Sequence, residues 1–287
     1  AFWGLAAVLL PVMVLASFHF GVTWDEKSRH YYGELIWDFY TGVRGMEAFP
    51  ETGGHLYGGL FDLLAVAAEH VFPGNRYEIR HVIGAIFGWF GIVYAGRLAG
   101  RFFGAWSAVI TLALLVMVTV AAIPQFAFIG ASVSNDPLVI LVATATLYWM
   151  LVLLRREITA PISLGDWSIL GLLLSLVAIS KLQGLSLYVL AAVVVPLLCW
   201  QRRDWRLFIR AGLILGLSFV VVAGWWYWRN YQLYQDIFAI GQLLEIEGLR
   251  TESQTWAAFW GELRGLRYSF WGLFGWFSIL LPVWIYR

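Results

Sequence analysis

The sequence predicts an all-α, polytopic membrane helical bundle of about eight transmembrane helices with additional interfacial helices, and three observations predict it. Hydrophobic residues make up 61% and charged residues 13% of the 287-residue chain, with a mean hydropathy of +0.74, whereas soluble domains carry about 25% charge. Apolar runs of roughly 20 residues, the length that spans a bilayer core, recur along the chain. Seventeen Trp, thirteen Tyr and twenty Phe gather where apolar runs meet polar ones, at Trp24, Trp167, Trp200, Trp205 and Trp225-Trp226-Tyr227-Trp228, as interfacial belts do. A net charge of +1 gives no basis for nucleic-acid binding. The single cysteine, Cys199, excludes an internal disulfide and a cysteine metal cluster.

Residues 1–23 are apolar and lack both a basic leader and a small-x-small cleavage site, so they read as the first span and not as a signal peptide. Further spans are expected over 79–99, 105–129, 137–154, 168–181, 184–200, 207–228 and 268–286. The fifth is short, and Ser180-Lys181-Leu182-Gln183-Gly184 is the only polar break before the sixth, which predicts a tight hairpin or one bent element. Segments 28–43 and 56–72 read as helices along the interface. In the second, Asp62, Glu69 and His70 recur at seven- and eight-residue spacing on one helical face. The whole of 1–287 is then one transmembrane domain, with outer segments at 24–78, 130–136 and 229–266. The chain begins without Met and stops in an apolar run at Tyr286-Arg287, so a longer parent protein is expected.

Charge decides the predicted orientation, because cytoplasmic loops collect Lys and Arg. With the N-terminus inside, the loops near 100–104, 155–167 and 201–206 and their flanks hold eight arginines (Arg97, Arg101, Arg155, Arg156, Arg202, Arg203, Arg206 and Arg210) against Glu157, Asp166 and Asp204. The other side carries ten basic and fifteen acidic residues, with Arg287 left at the cytoplasmic end. A ninth span at 56–72 would export the Arg155-Arg156 and Arg202-Arg203 clusters, so that segment is kept outside.

Three constellations then fall on the outer face. Trp24-Asp25-Glu26 leads into Lys27, Arg29 and His30; Ser134-Asn135-Asp136-Pro137 carries the signal of a helix start; Arg76, Arg80 and Lys181 each stand at an outer helix end. Lys181 in an apolar hairpin is the hardest of these to explain structurally, because ionisable groups within spans are costly. Carboxylates and cations at one bundle mouth suit an anionic substrate and a base.

The order of these features resembles the C-type fold glycosyltransferases (GT-C), in particular the polyprenyl-phosphate-sugar-dependent, protein-mannosyltransferase-like group. The resemblance rests on an apolar helix, outer Asp25-Glu26, interfacial helices, Arg80-His81-Val82-Ile83 leading into the next span, and a short outer Asn135-Asp136-Pro137. Ser180-Lys181-Leu182-Gln183-Gly184 looks like the family's Thr-Lys-Gly type element, and Trp225 to Tyr234 is similar to its aromatic Arg-Asn segment. The sequence departs from the family at Gly53-Gly54-His55-Leu56-Tyr57-Gly58, where a His-Pro-Pro-Leu-Tyr element is frequent.

The resemblance implies a sugar moved, with inversion, from a polyprenyl-phosphate donor to a lipid, glycan or protein acceptor at the outer face of a bacterial or archaeal plasma membrane. It implies Asp25 as the base, aided by Glu26, with Arg80 on the donor phosphate and Arg76 or Lys181 assisting. Asn135, Asp136 and Arg229 are further candidates for substrate contact. A divalent metal is compatible with His30, His55, His70 and His81 on the outer side, but no residue spacing names its ligands. Two other classes stay open: a transporter, although no internal repeat is found, and a non-catalytic homologue serving as a structural subunit.

Overall fold

The protein is described by a computed structural model covering residues 2–19, 21–23, 26–45, 56–103, 110, 113–114, 117, 129, 134–248, 255–274 and 279–286. Among these residues, four stretches are helical, long and apolar enough to cross a membrane. The first is α4 (Arg76–Phe103) and the second α5 (Asp136–Leu154). The third is α7 (Ser186–Arg202), entered through a 3-10 turn at Leu182–Leu185. The last is a rod of α8 (Trp205–Phe219) and α9 (Trp225–Tyr234), joined by a π-helical turn at Val220–Gly224. Two apolar helices are shorter: α1 (Phe2–Ser17) and α6 (Leu164–Ser180). The chain is therefore a mostly helical membrane protein. Its expected span at 105–129 lies largely outside the described residues, although Ala113 and Met117 are buried, Met117 against Ala6, Ile92 and Val93.

The expected last span at 268–286 takes another form. The helix α11 (Trp256–Trp271) stops at Gly272, whose φ of +154° favours glycine and where a Cβ would meet the Phe274 ring at 2.7 Å. A two-residue hairpin follows, β1 (Leu273–Phe274) antiparallel to β2 (Ile279–Leu280), and then a 3-10 turn at Val283–Tyr286. The Tyr286 hydroxyl donates to Gly272 O at 2.6 Å and accepts from Leu281 N at 2.8 Å, closing the chain back on itself. Before α11 lies α10 (Ile240–Glu247).

Two further helices, α2 (Glu26–Tyr40) and α3 (Leu60–Val71), form where interfacial helices were expected. They do more than cover the bundle end. Tyr32 and Ile36 of α2 pack with Ala178 and Ile179 of α6 and with Ala223, Trp226 and Tyr227. Phe61 and Ala65 of α3 pack with Leu138 and Val142 of α5 and Val177 of α6. Asp62 and Glu69 of α3 therefore face helices and not water, with His70 its only exposed polar residue, so α3 is a wedge and not an amphipathic raft. Glycine permits the close fit: a Cβ on Gly58 would fall 1.6 Å from Ile179 O, and one on Gly184 would fall 2.4 Å from Val177 O.

At the other end of the bundle, α5 to α8 share a core of Leu153, Trp167, Leu170, Leu174, Leu198 and Ala211. The break at 180–185 separates α6 from α7, with Lys181 extended between α6 and the 3-10 turn. The expected aromatic belt divides. Trp200, Trp205 and Trp228 are exposed, while Trp167, Trp226 and Tyr227 are buried as packing residues.

Candidate functional site

The start of α2 is written into Thr23-Trp24-Asp25-Glu26. The Glu26 Oε1 accepts from Thr23 N at 2.9 Å and from Thr23 Oγ1 at 2.7 Å, the reach-back of a capping box. The same carboxylate receives His81 Nε2 of α4 at 3.0 Å. Glu26 is fully buried. Burial alone would raise its carboxyl, but the His81 and Thr23 hydrogen bonds outweigh that and hold it below its ordinary value. Glu26 is thus a fastener between α2 and α4. Asp25 itself lies outside the described residues.

One turn further, α2 and α3 are joined by charge. Arg29 Nη1 donates to both oxygens of Asp62 at 3.2 and 3.1 Å. Burial pushes the Asp62 carboxyl up, and Arg29 and Arg80 offset that in part. Arg80 of α4 donates through Nε to Glu69 of α3, and its own side chain is 0% exposed. Both its Nη groups are buried without a hydrogen-bond acceptor among the described residues. A Cβ on Gly33 would stand 3.2 Å from Nη2, so α2 closes over this guanidinium. Arg80 was expected on the donor phosphate. Its placement is internal, paired and covered.

Arg76 lies at the rim and donates from Nη1 to His30 Nε2 at 2.6 Å. This contact requires Nε2 to be an acceptor, which is the neutral imidazole. Burial, then Arg80 and Arg76, lower the His30 pKa, against the opposing pull of Glu69 and Glu34. His30 Nδ1 lies 3.3 Å from Glu69 Oε2, near enough for charge attraction but without hydrogen-bond alignment.

His30, Glu34 and Glu69 bring ligand atoms within 4.8 Å of one another, a donor set that a divalent cation accepts. Arg76 already occupies the imidazole lone pair and Arg80 already neutralises Glu69, so the two guanidinium groups stand where a metal would act. The i, i+4 pair His30 and Glu34 was legible in the sequence, but Glu69 comes from another helix. Among the expected histidines, His70 stacks on Trp37 at 4.6 Å and His81 serves Glu26; His55 lies outside the described residues.

On the far side of Tyr32, Arg229 of α9 is also 0% exposed. It donates to Asn230 Oδ1 at 2.9 Å and lies over the Trp226 ring at 4.5 Å. Tyr32 itself donates to Tyr57 O at 2.6 Å, and burial pushes its phenol well above the ordinary value. The π-helical turn precedes this segment. It separates the exposed Leu213 and Leu217 of α8 from the buried Trp226, Tyr227, Arg229 and Asn230.

A solvent-reachable part of the site is a zipper of two contacts between the start of α5 and the 180–181 break. Asn135 Nδ2 donates to Ser180 O at 3.4 Å, and beside it Lys181 Nζ donates to Asp136 Oδ1 at 2.7 Å. Ser134 Oγ caps the helix start by accepting from Asp136 N at 3.2 Å. The Lys181 and Asp136 side chains are 23% and 35% exposed, so this pair meets solvent, unlike Arg80 and Arg229. Lys181 lies over the Tyr57 ring at 5.9 Å. Tyr57, Leu182 and Gln183 continue into a cavity of about 230 Å³, closed on the other side by Phe238, Ala239 and Leu243. Neither Asp136 nor Arg80 lines that cavity.

Chemically, the Lys181–Asp136 pair offers an accessible cation and an accessible carboxylate beside a small, mostly apolar chamber, supported by a buried layer of paired charges. No family model, curated protein or solved structure matches the chain.

Proposed function

We propose that the chain is a membrane glycosyltransferase that moves a sugar from a polyprenyl-phosphate donor to an acceptor nucleophile, with this end of the bundle facing outward and the N-terminus in the cytoplasm. One observation carries the reading: the Lys181–Asp136 pair is solvent-accessible beside a cavity, at the same end as Glu26, the sequence neighbour of Asp25. An ammonium stabilises the charge that grows on a departing phosphate. The acceptor hydroxyl attacks the anomeric carbon, the bond from that carbon to the phosphate oxygen breaks, and the hydroxyl proton passes to the Asp25 carboxylate. General-base assistance of this kind supplies about 10²–10⁴-fold in rate. In this reading Lys181, and not the covered Arg80, meets the phosphate. Glu26 holds the segment that carries Asp25.

A second reading, a non-catalytic structural subunit, is favoured by the internal pairing of Glu26, Asp62, Glu69 and Arg80. The experiment that separates the two is transfer of radiolabelled sugar from a panel of polyprenyl-phosphate donors in liposomes, run beside Asp25→Asn and Lys181→Ala. Transfer by wild type that both variants lose supports the enzyme. Absence of transfer with every donor, by a protein that remains folded, supports the structural subunit.

A further inference from the structure

The bundle end opposite the candidate site holds a second concentration of cations, and they divide into two kinds. Arg155 donates to the carbonyls of Arg101 and Phe102 at the end of α4. Arg156 pairs with Asp166 at 2.6 and 2.8 Å. Arg202 donates to the carbonyls of Arg156, Glu157, Ile158 and Ala160. These three are consumed by the fold.

Arg203, Arg206 and Arg210 are not. Their side chains make no hydrogen bond or ion pair with any described residue, and Arg206 and Arg210 are exposed. The one acidic residue among them, Asp204, spends its Oδ1 capping α8, accepting from Arg206 N at 3.0 Å and Leu207 N at 3.3 Å. Only Arg203 and Asp204 separate α7 from α8, so the three guanidinium groups issue from one short corner. Arg206 and Arg210 are four residues apart and share a helix face. Two indoles stand at the same corner, Trp200 at 78% and Trp205 at 68% exposure. The exposed face of α8 carries Phe208 and Ile209 between Arg206 and Arg210, and beyond Arg210 it is apolar through Leu213 and Leu217.

An uncompensated cationic corner, interfacial tryptophans and an adjoining apolar face reproduce, in order, what a phospholipid presents: an anionic headgroup, the ester region and acyl chains. We propose that Arg203, Arg206 and Arg210, flanked by Trp200 and Trp205, bind the phosphodiester headgroup of an acidic phospholipid of the surrounding bilayer. Guanidinium suits this role because its planar fork donates two parallel hydrogen bonds to phosphate oxygens. The site is independent of the sugar-transfer reading and stands or falls by itself.

The test is native mass spectrometry of the purified, delipidated chain incubated with phosphatidylglycerol or with phosphatidylcholine. Wild type is expected to retain phosphatidylglycerol preferentially. Retention is expected to fall about fivefold for each arginine converted to glutamine, Arg206→Gln alone and then all three. The triple Arg→Lys variant, which keeps the charge but loses the planar fork, is expected to retain less lipid than wild type and more than the triple glutamine variant; the single Arg206→Gln variant keeps the test decisive should the triple glutamine variant not fold. Equal retention of the two lipids, or unchanged retention in Arg206→Gln and the triple glutamine variant, overturns the site. Displacement of phosphatidylglycerol by inorganic phosphate at equal concentration overturns the lipid as ligand and leaves a simple anion site.

Discussion

The two ends of the bundle satisfy their charges by different means. At the site end, cations and carboxylates on separate elements find each other: Arg29 with Asp62, Arg80 with Glu69, His81 with Glu26, Lys181 with Asp136. At the opposite end one such pair forms, Arg156 with Asp166, but Arg155 and Arg202 bind main-chain carbonyls at helix termini and in the 156–160 loop, where unsatisfied acceptors and the negative end of the helix dipole attract cations. The difference follows from α2 and α3. Wedged into one end, they bring Glu26, Arg29, Asp62 and Glu69 inward, and charges taken from water need partners of opposite sign. The opposite end has no such wedge among the described residues; apart from Asp166, held by Arg156, most of its charges, Arg203, Arg206 and Arg210 among them, remain near water.

The comparison can be broken at its strongest point by removing Arg80. Arg80→Ala leaves Glu69 without its guanidinium partner, and loss of one member of a buried pair costs about 3–5 kcal/mol. Thermal unfolding in detergent should register a large fall. Recovery in the double variant Arg80→Met with Glu69→Leu would show that the loss came from the orphaned charge. A fall no larger than that of a surface variant would mean that this end is not sealed.

Glu26 gives the next largest effect and a pH signature. Its folded-state pKa lies below the ordinary 4.5, so its stabilising contribution is complete above that value and is lost as pH falls below it toward the folded value. Glu26→Gln should cost about 1.5–3 kcal/mol at neutral pH and should flatten the acid limb of the stability profile. A wild-type acid limb that Glu26→Gln leaves unchanged would remove Glu26 as the fastener of α2.

At the opposite end, Arg202→Ala removes hydrogen bonds to several partly exposed carbonyls and should cost about 1–2 kcal/mol. Hydrogen exchange should then quicken in the 156–160 loop and stay unchanged in α2 and α3. Faster exchange in α2 would show that the two ends are coupled.

The smallest stability effect belongs to the exposed pair. Lys181→Ala should change stability by less than about 1 kcal/mol while lowering sugar transfer more than any other substitution outside Asp25. The inverse result, a large stability loss with transfer intact, would place Lys181 with the structural charges.

Much of the fold was legible residue by residue. The helices at 76–103, 136–154, 186–202 and 205–234 follow from apolar runs that can be satisfied only by internal hydrogen bonding. Pro137 behind Asn135-Asp136 marks the start of α5, and Ser163 with Asp166 forms a second capping box at α6. The Thr23-x-x-Glu26 capping box was equally readable, but the acidic pair drew a catalytic reading instead. The last expected span failed because a helix ends where Gly272 takes a positive φ, and the apolar run after it packs as a hairpin. Hydrophobicity counts apolar residues and is blind to that backbone torsion.

The site was legible as a list of residues at one end, and not as a division of labour. Arg80, Arg229 and Lys181 are indistinguishable by composition, since each stands at an outer helix end in an apolar context. Burial separates them, and burial depends on what α2 and α3 cover. The pairing of His30 with Arg76, or of Arg29 with Asp62 across 33 positions, has no local spacing to announce it.

By itself, then, the sequence determined that the chain is a helical membrane protein, where most of its helices run, and that most of its acidic residues gather toward one end and a cluster of arginines toward the other. These are properties of composition and period, which act within about one turn or one span. Only the tertiary structure decided which charges are sealed and which remain reachable. That choice is made by the packing of the α2–α3 wedge against α4, α5 and α6, through contacts between residues far apart in the chain.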